Sequence, residues 1–212
     1  MITVIGHRAN TPRWIKRLIS EGAHGVEIDF YCRNGMLYAS HLSVIGRARL
    51  LRERIAALLT SLHILGPYPV EELVAALPPR TPLMLDLKSG LEPSCIDRLY
   101  KIGRRYPTYI SIRDYSLSPL LAEKGLYVLL SMDHRPIGIL DELRVTSAVG
   151  VSVNKKYADE RLVKLLHDNN YVVAIWTINS FDEAVQAKKL GVDMVVTDYP
   201  RLVNKALEEL QR

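Results

Sequence analysis

The stretch GVEID at residues 25–29 is a short, largely apolar run that ends in two carboxylates separated by one isoleucine. The stretch PLMLDLK at residues 82–88 is similar and ends in a carboxylate and an ammonium group. Both runs predict β-strands, in which residues i and i+2 project to the same side. Glu27 therefore projects together with Asp29, and Asp86 projects together with Lys88. The two strand ends would offer three carboxylates and an ammonium group to one space. Such a concentration of charge is unfavourable unless a cation or an anionic ligand compensates it.

Six more runs of this kind follow the same pattern along the chain. Their continuous apolar character favours strands that are buried on both faces, as in a parallel sheet. The eight predicted strands are residues 2–6, 25–29, 82–87, 109–112, 127–131, 150–153, 172–176 and 193–196.

Amphipathic segments between the strands predict helices. Thr11 and Pro12 begin one of them, as the N-cap and the first helical residue. Ser180 begins another with Glu183 three residues later, which is a capping box, and Gly191 is a typical helix end. Further helices are predicted over residues 93–105 and 159–169 and from about residue 200 to the carboxyl end.

The alternation of strands and helices predicts an α/β protein, a (β/α)8 TIM barrel that forms a single domain over residues 1–212. Eight repeats in 212 residues leave roughly 26 residues each, which is compact but sufficient for this fold. A doubly wound sheet is the competing architecture. The absence of a GxGxxG motif after the first strand argues against its dinucleotide-binding form.

The composition is that of an ordinary globular protein, with 48% hydrophobic and 24% charged residues. The net charge of +5 is small, and no basic run is interleaved with aromatic residues, so nucleic acid is not an expected partner. Cys32 and Cys95 form no CxxC or zinc-binding pattern, and we expect them to be reduced in a cytoplasmic protein. We expect no signal peptide and no stable membrane insertion, because the longest uncharged stretch, residues 55–70, is broken by polar residues and prolines.

Polar residues follow the predicted strands where a barrel places its catalytic groups, at the carboxyl ends. His7 and Arg8 come directly after the first strand. His41 follows residues 36–40, an alternating segment that could extend the second strand as a short hairpin. Trp176 ends the seventh strand.

The order of these motifs resembles the glycerophosphodiester phosphodiesterase family from residue 5 to residue 200. The motifs are Gly6-His7-Arg8, Glu27-Ile28-Asp29, His41, Asp86-Leu87-Lys88, WTIN at residues 176–179 and GVDMVVTDYP at residues 191–200. The resemblance implies a TIM barrel and metal-dependent hydrolysis of a small-molecule glycerophosphodiester to glycerol 3-phosphate and an alcohol. It also places the family's two catalytic histidines at His7 and His41.

The residue chemistry agrees with this expectation. Glu27, Asp29 and Asp86 supply hard oxygen ligands, which suit Mg²⁺ or Ca²⁺. Lys88 and Arg8 would offset the remaining charge and hold the phosphate. His7 and His41 would exchange protons, one as acid and the other as base.

Trp176 is a candidate wall of the substrate site. Thr197 and Asp198 are expected to be structural, at the turn that closes the barrel.

Two departures from the family pattern leave alternatives open. The family usually has a glutamate where Asp86 stands, and DLK also resembles the related sphingomyelinase D branch, which extends the possible substrates to lysophospholipids. Leu42 follows His41 where the family usually has an aspartate, which leaves open a non-catalytic barrel that binds phosphorylated ligands. Arg47, Arg49 and nearby arginines could also contact an anionic lipid surface. The sequence does not indicate an oligomeric state.

Overall fold

The structure is a computed structural model that describes residues 1–40 and 67–209. His41 and the arginine-rich segment after it therefore lie outside the described residues. The strands within the described ranges are β1 (Thr3–Gly6), β2 (Gly25–Arg33), β3 (Met36–Ala39), β4 (Tyr68–Pro69), β5 (Leu83–Leu87), β6 (Thr108–Ile112), β7 (Tyr127–Met132), β8 (Gly150–Asn154), β9 (Val172–Trp176) and β10 (Met194–Thr197). The helices there are α1 (Pro12–Ser20), α2 (Val70–Ala75), α3 (Pro93–Gly103), α4 (Ser118–Glu123), α5 (Ile139–Thr146), α6 (Glu160–His167), α7 (Phe181–Leu190) and α8 (Pro200–Glu209).

Eight parallel strands close into a barrel. The order around it is β1, β2, β5, β6, β7, β8, β9 and β10, and β1 pairs with both β2 and β10. Closure removes every free edge from this sheet, which an open doubly wound sheet would not do. The predicted (β/α)8 barrel and its eight strands are confirmed.

The hairpin beyond β2 is also confirmed. Strand β3 returns antiparallel to the extended end of β2, with Phe30 opposite Ala39 and Arg33 opposite Met36. The two-residue turn between them uses Asn34 and Gly35, both at positive φ, as tight hairpins require. Residue 40 therefore returns towards Asp29, whose carbonyl accepts the Ser40 N–H at 3.0 Å.

Two clusters of buried apolar side chains stabilise the barrel. A small one inside the barrel contains Ile5, Met84, Leu129 and Val196, and a large one lies between the strands and the outer helices. The inner residues fill the floor below the carboxyl ends of the strands, so the interior is packed.

The helix ends follow their predicted caps. The Thr11 hydroxyl accepts the Trp14 N–H at 3.2 Å. Ser180 and Glu183 form the full capping box, and Gly191 ends α7 with a φ of 73°. In the described part of the chain, no helix is long and apolar enough to cross a membrane.

The expectation of reduced cysteines is wrong. Cys32, at the end of β2, forms a disulfide with Cys95, in the first turn of α3. The two are separated by 63 residues and are brought together because β2 continues past the barrel rim into the hairpin, where α3 packs against it. The linkage therefore ties the β2–β3 hairpin to α3.

Candidate active site

A cavity opens at the carboxyl ends of the barrel strands, and each of the eight strands, or the loop directly after it, contributes to its lining. Seven predicted site residues are among the lining side chains. They are His7, Arg8, Glu27, Asp29, Asp86, Lys88 and Trp176.

Three carboxylates meet on one side of this cavity. Asp29 of β2 lies in register with Asp86 of β5, and Glu27 lies one inward-facing position below Asp29. An oxygen from each of the three lies within 4.8 Å of the others. Glu27 and Asp29 are almost completely buried, at 4% and 1% exposure. The i, i+2 pattern in the sequence therefore predicted both the side on which they project and their proximity.

Neighbouring groups fix the orientation of two of these carboxylates. The Arg8 backbone N–H donates to Glu27 Oε2 at 2.7 Å. Arg8 has a φ of 54°, a left-handed conformation that turns its N–H towards the cluster. The Asn10 side chain donates to Asp29 Oδ2 at 2.9 Å and accepts the Asp29 backbone N–H at 3.0 Å. Sequence reasoning missed Asn10, whose role depends on the loop between β1 and α1.

Lys88 pairs with two members of the cluster. Its ammonium lies 2.6 Å from Asp29 Oδ1 and also contacts Asp86 Oδ2. Desolvation acts to lower the pKa of Lys88, but the negative charges of Asp86 and Asp29 outweigh it, and the pKa is raised. Lys88 is therefore a cation that stabilises the carboxylate cluster from one side.

The cluster still has capacity for a further cation. Burial, followed by the charges of Asp29 and Asp86, raises the pKa of Glu27 well above its usual value. The Oδ1 atom of Asp86 is buried and has no hydrogen-bond donor among the described residues. Three hard oxygen donors, one of them orphaned, match the ligand preferences of Mg²⁺ and Ca²⁺. The residues that are present therefore fit a divalent cation.

His7 is held by a carboxylate at the point where the barrel closes. Its Nδ1 atom lies 2.8 Å from Asp198 Oδ1. Because a carboxylate can only accept, Nδ1 carries the proton and Nε2 is the atom available for proton exchange. The hydrogen bond with His7 is the main cause that lowers the pKa of Asp198. Asp198, which we expected to be structural, therefore contacts a candidate catalytic group.

Asn179 orients Asp198 in turn. Its side-chain amide donates to Asp198 Oδ2 at 2.6 Å and accepts the Asp198 backbone N–H at 2.9 Å. The buried Thr197 hydroxyl donates to the same amide oxygen at 3.3 Å, as expected for a structural residue. Asn179 of the WTIN stretch therefore orients Asp198 of the TDYP stretch, which in turn holds His7.

The remaining wall of the cavity is less charged. It is formed by Ser111, Ser131 and Ser152 on three successive strands, by Arg113 after β6, and by Trp176 with Thr177 after β9. Trp176 thus lies where a wall of the substrate site was predicted.

A second group of potential ligands, Cys32, Glu92 and Cys95, lies outside the barrel. Both sulfurs are used in the disulfide. The Glu92 carboxylate accepts the backbone N–H groups of Asn34 and Gly35 at 3.1 and 2.6 Å. These atoms are already satisfied, so the group is not a candidate metal centre.

Two histidines that match no motif form structural contacts away from the cavity. His24 Nδ1 accepts the Val4 backbone N–H at 3.0 Å, and His167 pairs with Asp193 at 3.0 Å near the opposite end of the barrel.

Comparison with protein families supports the resemblance for part of the chain. The model of the Glycerophosphoryl diester phosphodiesterase family matches residues 129–202, which include the WTIN and TDYP stretches. This part of the chain therefore carries the sequence pattern of the glycerophosphodiester phosphodiesterase family, in agreement with the resemblance seen in the motif order. Proteins of that family are phosphoric diester hydrolases, the enzyme class that the resemblance predicted.

Solved structures share the fold of this chain across its length. A phosphodiesterase from Oleispira antarctica in complex with the product sn-glycerol-3-phosphate is 20% identical, with a TM-score of 0.75 and coverage of 97% of this chain and 96% of that one. A glycerophosphodiester phosphodiesterase from Thermotoga maritima is 21% identical, with a TM-score of 0.75 and coverage of 97% and 98%. One from Parabacteroides distasonis is 18% identical, with a TM-score of 0.73 and coverage of 100% and 98%. No curated protein sequence matches the chain significantly.

Proposed function

We propose that this protein is a metal-dependent phosphodiesterase that hydrolyses glycerophosphodiesters to glycerol 3-phosphate and an alcohol. The observation that carries the proposal is the meeting of three carboxylates and a carboxylate-oriented histidine in one cavity at the carboxyl ends of the barrel strands. A phosphodiester resists attack because its own negative charge repels nucleophiles, so a cation and a proton-transfer group are the two things it needs.

Glu27, Asp29 and Asp86 are the proposed metal ligands. When ionised, they carry with Lys88 a net charge of two negative, which a divalent cation such as Mg²⁺ or Ca²⁺ balances. A bound ion of this kind supplies Lewis-acid stabilisation of charge on the phosphoryl oxygens. Asn10 and the Arg8 backbone hold the carboxylates in place for it.

His7 is the proposed proton-transfer group. Asp198 fixes its ring so that Nε2 exchanges a proton with the oxygen that attacks or leaves phosphorus. Its partner in acid–base catalysis is proposed to be His41, which the motif order places after the β2–β3 hairpin; Ser40 is the last described residue before it.

Arg8, Lys88 and Trp176 are proposed to bind the substrate. Arg8 is an exposed residue that lines the cavity, and a guanidinium can form paired hydrogen bonds to two phosphate oxygens. Lys88 lines the cavity beside the carboxylates with which it pairs, so it can contact a phosphate that binds next to the metal ligands. Trp176 offers an apolar face opposite these charges, against which the carbon skeleton of glycerol can pack.

The products of glycerophosphocholine hydrolysis test this function. We expect glycerol 3-phosphate and choline, detected by ³¹P NMR, and a rate that falls by about a hundredfold or more in His7→Gln. His167→Gln removes the other histidine of a His–Asp pair, far from the cavity, and should keep the wild-type rate. Release of phosphocholine and glycerol, or a wild-type rate in His7→Gln, would contradict the proposal.

A further inference from the structure

Arg113 is a cation on the otherwise neutral half of the cavity. The other charged lining residues come from β1, β2 and β5, whereas β6, β7 and β8 contribute Arg113 and serines. Arg113 is exposed and forms no ion pair within residues 1–40 and 67–209. Its charge therefore has no counterpart in this part of the protein.

The strand register explains why Arg113 faces the cavity. Asp86 of β5 is aligned with Ser111 of β6. Lys88 and Arg113 each follow two residues later, so both continue the inward-facing rows just past the strand ends. Arg113 is thus placed beside Lys88 at the rim. Lys88 is paired with Asp29 and Asp86, whereas Arg113 has no such partner among the residues that the structure describes, so an anionic ligand above Arg113 would stabilise its charge.

Nearby acidic residues are already engaged elsewhere. The Asp114 carboxylate accepts the backbone N–H and the hydroxyl of Ser116, at 3.2 and 2.6 Å. Asp133, after β7, accepts the Asn154 side-chain amide at 2.7 Å. Neither lines the cavity, so they do not provide Arg113 with a partner there.

Three hydroxyls below Arg113 are free to donate hydrogen bonds. Ser111, Ser131 and Ser152 are buried, at 2%, 7% and 2% exposure, and line the same cavity. None of their hydroxyls has a hydrogen-bond partner among the described side chains and backbone. These hydroxyls are accessible from the cavity, where polar atoms of a ligand can accept their hydrogen bonds.

We propose that Arg113, with Ser111 and Ser131, forms a subsite for a second anionic group on the substrate, and that the enzyme prefers glycerophosphodiesters whose alcohol carries a carboxylate or a phosphate. The diester phosphate is proposed to bind to Arg8, next to the metal ligands, on the other side of the cavity. The glycerol half of the substrate has only hydroxyls, so the second negative charge must belong to the alcohol. This inference rests on the proposed function and names its substrate class.

Three diesters that share the sn-glycerol 3-phosphate half and differ in the alcohol test this inference. The alcohols are glycerate, which carries a carboxylate, glycerol, which is neutral, and choline, which is a cation. We expect wild-type kcat/KM to be about tenfold higher for the glycerate diester than for the glycerol diester, because a charge-assisted hydrogen bond is lost with the neutral alcohol. The choline diester should be the poorest of the three.

Arg113→Gln should remove this preference, mainly through a higher KM for the glycerate diester, and leave the glycerol diester within about twofold of wild type. Ser131→Ala should weaken the preference without changing any charge. Arg105→Gln is the matched control, since Arg105 is an exposed arginine at the opposite end of β6, and it should retain the preference.

Two results would overturn the subsite. The first is a wild-type enzyme whose kcat/KM is no higher for the glycerate diester than for the glycerol diester. The second is an equal loss of kcat/KM for all three diesters in Arg113→Gln, which would mean that Arg113 contacts the diester phosphate. Failure of the wild-type enzyme, loaded with Mg²⁺ or Ca²⁺, to hydrolyse any of the three would instead overturn the proposed function.

Discussion

His7 and Asp198 are 191 residues apart in the chain and 2.8 Å apart in the barrel. The pairing of β1 with β10 creates this contact, because Gly6 lies opposite Thr197 and the next residue of each strand carries the histidine and the carboxylate. The carboxylate holds the imidazole in one tautomer and supports its positive charge when it takes up a proton.

Asp198→Asn should therefore lower kcat by about a hundredfold or more with little change in KM, because the amide can donate to Nδ1 and favour the wrong tautomer. Steady-state kinetics on a glycerophosphodiester would measure both constants. Asp193→Asn is the matched control, since Asp193 pairs with His167 away from the cavity. Equal kcat values for Asp198→Asn and Asp193→Asn would contradict the role of Asp198.

Lys88 is predicted to stabilise the protein most when no metal is present. Lys88→Met leaves three carboxylates with no cation between them, which should lower the free energy of unfolding by about 3 kcal/mol in the presence of a chelator. Added Mg²⁺ or Ca²⁺ should then raise Tm more in this variant than in the wild type.

The matched control for Lys88→Met is a lysine whose ion pair is exposed to solvent. Lys164→Met removes the pair with Asp168 on the surface of α6, and its effect should stay below about 1 kcal/mol. A Lys88→Met protein with the wild-type Tm in chelator would show that the ammonium does not offset the carboxylates.

The sequence predicted the local features of the site well. The two i, i+2 pairs placed Glu27, Asp29, Asp86 and Lys88 together because strand geometry alone decides which side a residue faces. Asn10 and the role of Asp198 were missed because they depend on loop geometry and on closure of the barrel, which brings the two ends of the chain together. Asp198 lies in the GVDMVVTDYP motif, but no local pattern indicates that it contacts His7 or that Asn10 contacts Asp29.

The disulfide was missed for a related reason. Cys32 and Cys95 have no motif spacing, and only the extension of β2 into a hairpin brings one to the other. Closing a loop with a sequence separation of 63 residues should stabilise the protein by about 4 kcal/mol, mainly by restricting the unfolded chain.

Urea unfolding of a Cys32→Ala/Cys95→Ala double variant measures this contribution. We expect its free energy of unfolding to be lower than that of the oxidised wild type, and reductant to weaken the wild type while leaving the variant unchanged. If reductant has no effect on the wild type, the disulfide does not contribute to stability.

Glu183, in the first turn of α7, is expected to make a pH-dependent contribution to the stability of the protein. Burial acts to raise its pKa, but the hydrogen bond from Lys155, followed by the N–H groups of Asn179 and Ser180, lowers it below the usual 4.5. A folded pKa below the unfolded one gives stability that is present above pH 4.5 and is lost as the pH falls through the folded pKa.

Glu183→Ala should therefore be less stable than the wild type by about 1 kcal/mol at neutral pH, and the difference should narrow at about pH 3. Urea midpoints at the two pH values would show this. If the stability difference between Glu183→Ala and the wild type is the same at both pH values, the ionised carboxylate is not its cause.

Metal dependence of glycerol 3-phosphate release is the most direct test of the proposed mechanism. Dialysis against EDTA should reduce the rate of glycerophosphodiester hydrolysis at least about a hundredfold, and Mg²⁺ or Ca²⁺ should restore it. Glu27→Gln should stay inactive at the metal concentration that restores the wild type. Glu92→Gln, which alters the acidic residue beside the disulfide, should be restored like the wild type. Full activity after chelation, or wild-type activity in Glu27→Gln, would contradict a metal centre at Glu27, Asp29 and Asp86.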